Sequence, residues 1–369
     1  MKKQKEYKIP ALWWLTVLVC LFQGMACTRT YSTVTDPSLT PPQTTQSLLD
    51  YLKNNYAYSI FYAGLQRTGL DKQITDSVKL TLLIPDNDAF ARAGISQDSV
   101  MTMDLTYLRK WIGFHIVQGN IGYDSIPQTV DNVYFSILGQ KIFFSKPVAS
   151  LNHPANGPKV LHINGTAVNN FDIRASNGYI NVLNTPLNAP LEGTLQDYIN
   201  ADSSQFSLFK ACLKKFNLWD NLKNDTGSQM TVFAPVNAAF ASIQLYSDAL
   251  GYYFYNITLD TIASWDTSKI PRDLFAAYLI PSRIFTTDFT DAPTNTGSNG
   301  NYVSYIFPDE KAYINLSVFS PQVTAGILGP YAAGMRLNGA TANLIAPSNQ
   351  VITNGNNVVQ PVDRLMMIP

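Results

Sequence analysis

The side chains able to do acid–base, nucleophilic or metal chemistry are few. Among 369 residues there are three histidines, His115, His153 and His162, and three cysteines, Cys20, Cys27 and Cys212. His153 and His162 flank a turn at Asn156-Gly157-Pro158 and could meet across a hairpin. Two imidazoles without a nearby carboxylate make a poor metal site, so a hairpin coincidence is the better reading. Asp86-Asn87-Asp88 has the start of a calcium loop but lacks the required glycine and the distal glutamate. No Gly-x-Ser-x-Gly elbow, His-Glu-x-x-His, Cys-x-x-Cys or phosphate-binding glycine loop occurs. A polysaccharide hydrolase could hide its two carboxylates far apart in sequence, but nothing points to such a pair. The expectation is a protein without catalysis, metal or cofactor.

Recognition chemistry is better represented. Gly251-Tyr252-Tyr253-Phe254-Tyr255 sets three tyrosines in one short run. Such rings suit stacking on sugars or anchoring a protein partner, because each joins a large rigid face to a polar tip. With a period of two, Tyr252 and Phe254 would face one way and Tyr253 and Tyr255 the other. Either one pair is free to bind, or both pack the segment onto its own domain. Phe114-His115 is a second candidate, set against the alternative of a buried histidine whose ring N–H bonds a backbone carbonyl.

The element that positions these groups occurs twice. Thr81-Leu82-Leu83-Ile84-Pro85-Asp86-Asn87-Asp88-Ala89-Phe90 returns 150 residues later as Thr231-Val232-Phe233-Ala234-Pro235-Val236-Asn237-Ala238-Ala239-Phe240. Threonine, proline, asparagine, alanine and phenylalanine keep their places, so the chain is built from two related units. The apolar run suits a buried strand. Pro85 and Pro235 end it. Asn87 and Asn237 stand where a helix begins and can cap its first turn. Phe90 and Phe240 can then turn back onto the core.

This corner resembles the first signature of the fasciclin-like (FAS1) domain, a strand running into Ala-Pro-Thr-Asn-x-Ala-Phe. The second signature of that family is a strand, an Asn-Gly turn, another strand and a terminal Leu-x-x-Pro. It is matched by Asp172 to Leu187, with Asn177-Gly178 at the turn, ending at Pro190. In the second unit it is matched by Asn354-Gly355 to Leu365, ending at Pro369. The resemblance implies an α+β fold with two tandem FAS1-like domains, each a β-wedge or sandwich with helices packed along one side. It also implies extracellular adhesion or binding of protein or glycan ligands without catalysis. Phe114-His115 matches a Tyr-His position that some animal members use in adhesion, with Tyr278-Leu279 at the corresponding place in the second unit.

The two units differ from the rest of the chain. Lys2, Lys3, Lys5 and Lys8 precede an apolar run from Ala11 to Phe22, too short to span a bilayer and shaped like a secretory signal. Gly24-Met25-Ala26-Cys27 resembles a bacterial lipobox, so residues 1–26 are expected to be removed and Cys27 acylated. The alternative is ordinary cleavage near Ala26. Residues 27–46 read as a tether, since Thr28 to Gln46 holds seven Thr and three Pro and no apolar period. The first domain is then expected over 47–190 and the second over 191–369.

That second domain carries some 29 extra residues, placed at Leu245 to Ser268 and Asp291 to Asn301. Without residues 1–26, 22 basic stand against 25 acidic side chains, which argues against nucleic acid as a partner. The resulting expectation is an outer-membrane lipoprotein exposed at the cell surface. An accessory glycan-binding role beside an outer-membrane nutrient importer is the alternative. Cys212 sits in an apolar stretch of helical spacing and is expected to be a small buried hydrophobe.

Overall fold

The computed structural model describes residues 46–146, 159–223, 229–241, 245–247, 252–254, 257–268, 272–276, 278–288, 302–306, 312–317, 322–327, 342–343, 345, 351–353 and 356–365. The leader, Cys27 and the tether up to residue 45, together with His153, Tyr255, Asn354 and Gly355, lie outside them.

In the first repeat, Ser47 caps α1 (Leu48–Lys53), and α2 (Ser59–Thr68) ends at Gly69 with φ of 68°. That left-handed stop is one glycine adopts at low cost. Strand β1 (Leu80–Pro85) is buried at every position and turns into α3 (Asn87–Arg92). Two helices follow, α4 (Gln97–Thr102) and α5 (Leu105–Phe114), then β2 (Ile116–Gln118). The remaining strands are β3 (Asn132–Phe135), β4 (Lys141–Ser145), β5 (His162–Ile163), β6 (Thr166–Ala175) and β7 (Gly178–Leu183).

These strands form one mixed sheet in the order β2-β1-β7-β6-β5-β4-β3. Only the β1–β7 pairing is parallel among the neighbouring pairs. A single antiparallel bridge between Val117 and Ser136 brings the β2 edge to the end of β3. The Ile137 N–H donating to Ile116 O (2.8 Å) reinforces that closure. The core joins Leu82, Ile84, Phe90, Ile180 and Leu183 from the strands and corner to Phe61, Leu65, Leu108, Trp111 and Ile112 of α2 and α5.

The second repeat rebuilds the centre of this sheet. It contains α6 (Leu195–Ala201), α7 (Ser203–Lys215), β8 (Thr231–Pro235) and α8 (Asn237–Ala241). A hairpin of β9 (Leu245–Ser247) and β10 (Tyr252–Phe254) follows, then α9 (Leu259–Ser264), α10 (Asp273–Ala276) and β11 (Leu279–Ile280). Strands β12 (Tyr302–Ile306), β13 (Ala312–Ser317), β14 (Gln322–Ile327) and β15 (Ala342–Asn343) form a separate antiparallel sheet. The last strands are β16 (Val351–Thr353) and β17 (Asn357–Val362).

The order β11-β8-β17-β16 matches β2-β1-β7-β6 of the first repeat, with β8 and β17 again parallel. Registers fix the correspondence residue by residue. Thr81 pairs with Val117 and Tyr179, while Thr231 pairs with Ile280 and Val358. Val117 and Ile280 are 163 apart and Thr81 and Thr231 are 150 apart, so 13 extra residues lie between corner and edge strand. The Tyr179 and Val358 positions are 179 apart, which leaves a further 16 between that edge strand and β17.

Two expected alignments shift with these registers. His115 corresponds to Tyr278 rather than Leu279, because Leu83 N donates to His115 O as Phe233 N donates to Tyr278 O. Asn356-Asn357, not Asn354-Gly355, stands opposite Asn177-Gly178. The β16–β17 turn carries three residues between the paired Thr353 and Asn357, against two between Ala175 and Gly178.

Candidate functional site

The corner residues are all occupied inside the fold. Thr81 Oγ1 donates to Gly119 O (2.9 Å) and accepts from Ile121 N (2.8 Å). Thr231 does the same with Ser282 O and Ile284 N, both at 2.8 Å. Each threonine thus ties down the loop that leaves the edge strand. Pro85 and Pro235 sit at the ends of their strands, in register with Leu183 and Val362. Phe90 and Phe240 are buried at 1% and 0% exposure, as the corner's apolar role requires.

Asn87 and Asn237 act differently from the expectation that they cap their own helices. In the first repeat that cap is Asp86, whose carboxylate accepts from Ala89 N (2.7 Å). Asn87 instead reaches across to the preceding helix. Its Oδ1 accepts from Ile60 N (3.2 Å), and its Nδ2 donates to Tyr56 O (2.8 Å) and Ser59 Oγ (3.0 Å).

Asn237 repeats the pattern with Leu208 N (3.0 Å), Ser204 O (2.7 Å) and Ser207 Oγ (2.9 Å). Residues 60 and 56, like 208 and 204, are four apart, the spacing of a helical hydrogen bond. In the second repeat both residues lie within α7, so the side-chain amide bridges two turns of that helix; in the first, Tyr56 precedes α2 and Asn87 caps the start of that helix. Asparagine alone among side chains of that reach offers a carbonyl and two N–H groups in one plane, with glutamine a methylene too long.

Phe114 and His115 lie in the core, at 0% and 1% exposure, and so offer no adhesive surface in this structure. His115 Nδ1 lies 2.9 Å from Trp111 O, and Nε2 accepts from Leu187 N at 3.0 Å. The acceptor role of Nε2 places the proton on Nδ1, which donates to the carbonyl. Burial holds the imidazole pKa down at about 4, against a smaller opposing effect of the Trp111 carbonyl. The ring is a neutral structural bridge packed edge-on to Phe61 and Trp111. Its counterpart Tyr278 is likewise buried.

Tyr252 and Tyr253 lie on β10, in register with Ser247 and Tyr246 of β9. Cys212 is buried on α7, where burial pushes its thiol pKa well up and leaves it inert. Among the described residues no group of three or more His, Cys, Asp or Glu is placed to hold a metal ion. Among them, too, no helix is long and apolar enough to cross a membrane.

A seam between the repeats is the feature that local sequence reasoning missed. Arg283 forms a bidentate pair with Asp131, at 2.8 Å (Nε to Oδ1) and 2.7 Å (Nη2 to Oδ2). Its guanidinium carbon lies 3.6 Å from the centre of the Phe143 ring, and Nη1 donates to Asn356 O. Phe143 joins Phe285, Ile352 and Val358 in a small buried cluster. Lys141 Nζ donates to Asn356 Oδ1 (2.7 Å), and the connector residue Leu191 donates its N–H to Ile352 O (2.8 Å). No short-range signal could have shown this, since Asp131 and Arg283 are 152 residues apart.

The chain is 25% identical over 180 residues to the transforming growth factor-beta-induced protein ig-h3 of Sus scrofa, covering 47% of this chain and 24% of that protein. It thus spans about a quarter of the length of that relative. A solved FAS1 domain pair from the insect cell adhesion molecule fasciclin I aligns with a TM-score of 0.37 and 16% identity, over 85% of this chain and 98% of that one. The fasciclin domain profile matches residues 56–189 and 204–328. With both repeats matched and most of the chain covered, this protein belongs to the fasciclin domain family and carries two FAS1 domains in tandem.

Proposed function

We propose that this chain is a non-catalytic adhesion or binding protein of the cell envelope, anchored through acylated Cys27. Fasciclin domains typically serve adhesion or binding, and the family is generally non-enzymatic. The observation that carries the reading is the fate of the shared residues. Thr81, Asn87, Phe90 and their partners Thr231, Asn237 and Phe240 are consumed in building each domain. The one candidate imidazole among them, His115, is held neutral in the core. What repeats is a scaffold, and recognition falls to surfaces that differ between the repeats.

The Tyr252-Tyr253 segment, inside the 13-residue excess of the second repeat, is our candidate for contacting an extracellular protein or glycan. The test is retention of cells and of a pooled polysaccharide panel on immobilised full chain, with and without Tyr252→Ala and Tyr253→Ala. Retention without release of reducing ends, weakened by the double substitution, supports the proposal. Release of sugar product, or no retention of any surface, refutes it.

A further inference from the structure

The hydrogen bonds that equate the repeats also line up two helix faces whose chemistry differs. Asn87 Oδ1 accepts from Ile60 N as Asn237 Oδ1 accepts from Leu208 N, so Tyr62 and Gln66 of α2 correspond to Lys210 and Lys214 of α7. Ile60 and Leu208 are 148 apart, as are the buried Leu70 and Leu218, so Asp71 corresponds to Trp219. In the first repeat the helix pair is neutral and closed on itself, Gln66 Nε2 donating to Tyr62 Oη at 3.3 Å. In the second it becomes two ammonium groups, and the neighbouring acid becomes an indole.

Lys210 and Lys214 are one turn apart and share a helix face. Their Nζ atoms lie 5.5 and 5.8 Å from the centre of the Trp219 ring, at the start of a 3-10 turn over Trp219–Lys223. Both fall within the reach of about 6 Å over which a ring face attracts a cation. Neither lysine makes a hydrogen bond or ion pair among the described residues, and the indole N–H has no acceptor there. Gln196 Nε2 donates to Trp219 O (2.7 Å) and fixes the backbone that carries the ring. Lys214 is exposed, while Lys210 and Trp219 are half-buried. The adjacent carboxylate, Asp220, is paired with Lys223 at 2.6 Å. The helix dipole accounts for Lys214 in the last turn of α7, but its effect fades within one turn and does not account for Lys210.

We infer that the face formed by Lys210, Lys214 and Trp219 binds an acidic polysaccharide, its carboxylate or sulfate groups against the two ammonium groups and a sugar ring against the indole. Two like charges one turn apart repel, and an oxyanion between them relieves that repulsion. Each ammonium offers three donors, and the indole offers one more. The broad apolar face of the indole suits the C–H face of a sugar.

The inference rests on the binding function proposed above and gives it a ligand class and a place. Its test uses the detergent-solubilised full chain against heparin (sulfated), polygalacturonate (carboxylated), neutral galactan and polyglutamate (an acidic peptide). Wild type should bind one or both acidic polysaccharides, more weakly as salt rises. Lys210→Tyr with Lys214→Gln installs the pair with which the first repeat folds, and should weaken that binding by about tenfold. Lys210→Arg with Lys214→Arg keeps both charges and should retain it. Trp219→Ala should weaken it as well. Equal binding by wild type and the Tyr/Gln variant, no binding of either acidic polysaccharide, or tighter binding of polyglutamate than of both overturns the inference. Retention of cells or galactan would in that case leave the broader binding function standing.

Discussion

The acid stability of the first repeat should be governed by His115. Its folded pKa is about 4 and its ordinary value 6.5, both nitrogens being engaged in a site that excludes water. The unfolded chain takes up a proton near pH 6.5, whereas the folded chain does so only near pH 4. Between these values the unfolded state binds more protons, so stability is complete above about pH 6.5 and falls as pH is lowered. Below pH 4 this loss levels off. A gap of 2.5 pH units at about 1.4 kcal/mol each gives a total of about 3.5 kcal/mol, most of it between pH 6.5 and pH 4.

For a domain of this size such a loss lowers the midpoint of thermal unfolding by roughly 10 °C. Other carboxylates titrate in the same range, so the measurement is a difference. Urea unfolding of wild type and His115→Leu is followed at half-unit steps from pH 7.5 to 3.5. The gap between the two stabilities should narrow by about 3 kcal/mol from pH 6.5 to pH 4. A gap that stays constant over that range would refute a neutral, buried His115.

Other perturbations probe separate parts of the fold. Asn87→Ala and Asn237→Ala remove the side-chain acceptor of the Ile60 and Leu208 N–H groups and should each cost about 1–3 kcal/mol, read by denaturant unfolding. Arg283→Ala strands the Asp131 carboxylate at the seam and should cost about 3–5 kcal/mol, with a single unfolding transition splitting into two. Gly178→Ala would place a Cβ 1.9 Å from Leu80 O and should abolish soluble expression of the native fold. Cys27→Ala should shift the protein from the membrane fraction to the soluble fraction and remove labelling by a radioactive fatty acid.

The corner was legible because its residues speak locally. An apolar run followed by proline and a helix-starting polar pair describes β1 and α3 almost to the residue. The helix over Leu105 to Phe114 was legible for the same reason. The role of Asn87 was not, because its partners lie 27 to 31 residues back and nothing in the spacing reveals that the start of α2 is capped from the corner. The match of the turn before β17 to Asn177-Gly178 shifts by two residues because the register is set by pairing with β8, more than a hundred residues upstream. Phe114-His115 attracted attention by resemblance, while burial among apolar neighbours gives it a structural role. The seam appears only in the fold, where Arg283 meets Asp131 across 152 residues of sequence.

The dependence of α2 and α7 on an asparagine from the corner bears on how the chain becomes native. The group that completes each helix's hydrogen bonding emerges from the ribosome more than twenty-five residues later. A nascent segment ending before the corner would therefore hold a frayed helix. Arrival of β1 or β8 would join helix maturation to sheet assembly in one event. Each repeat would then commit to its structure in one step once β7 or β17, the parallel partner of that strand, has been made.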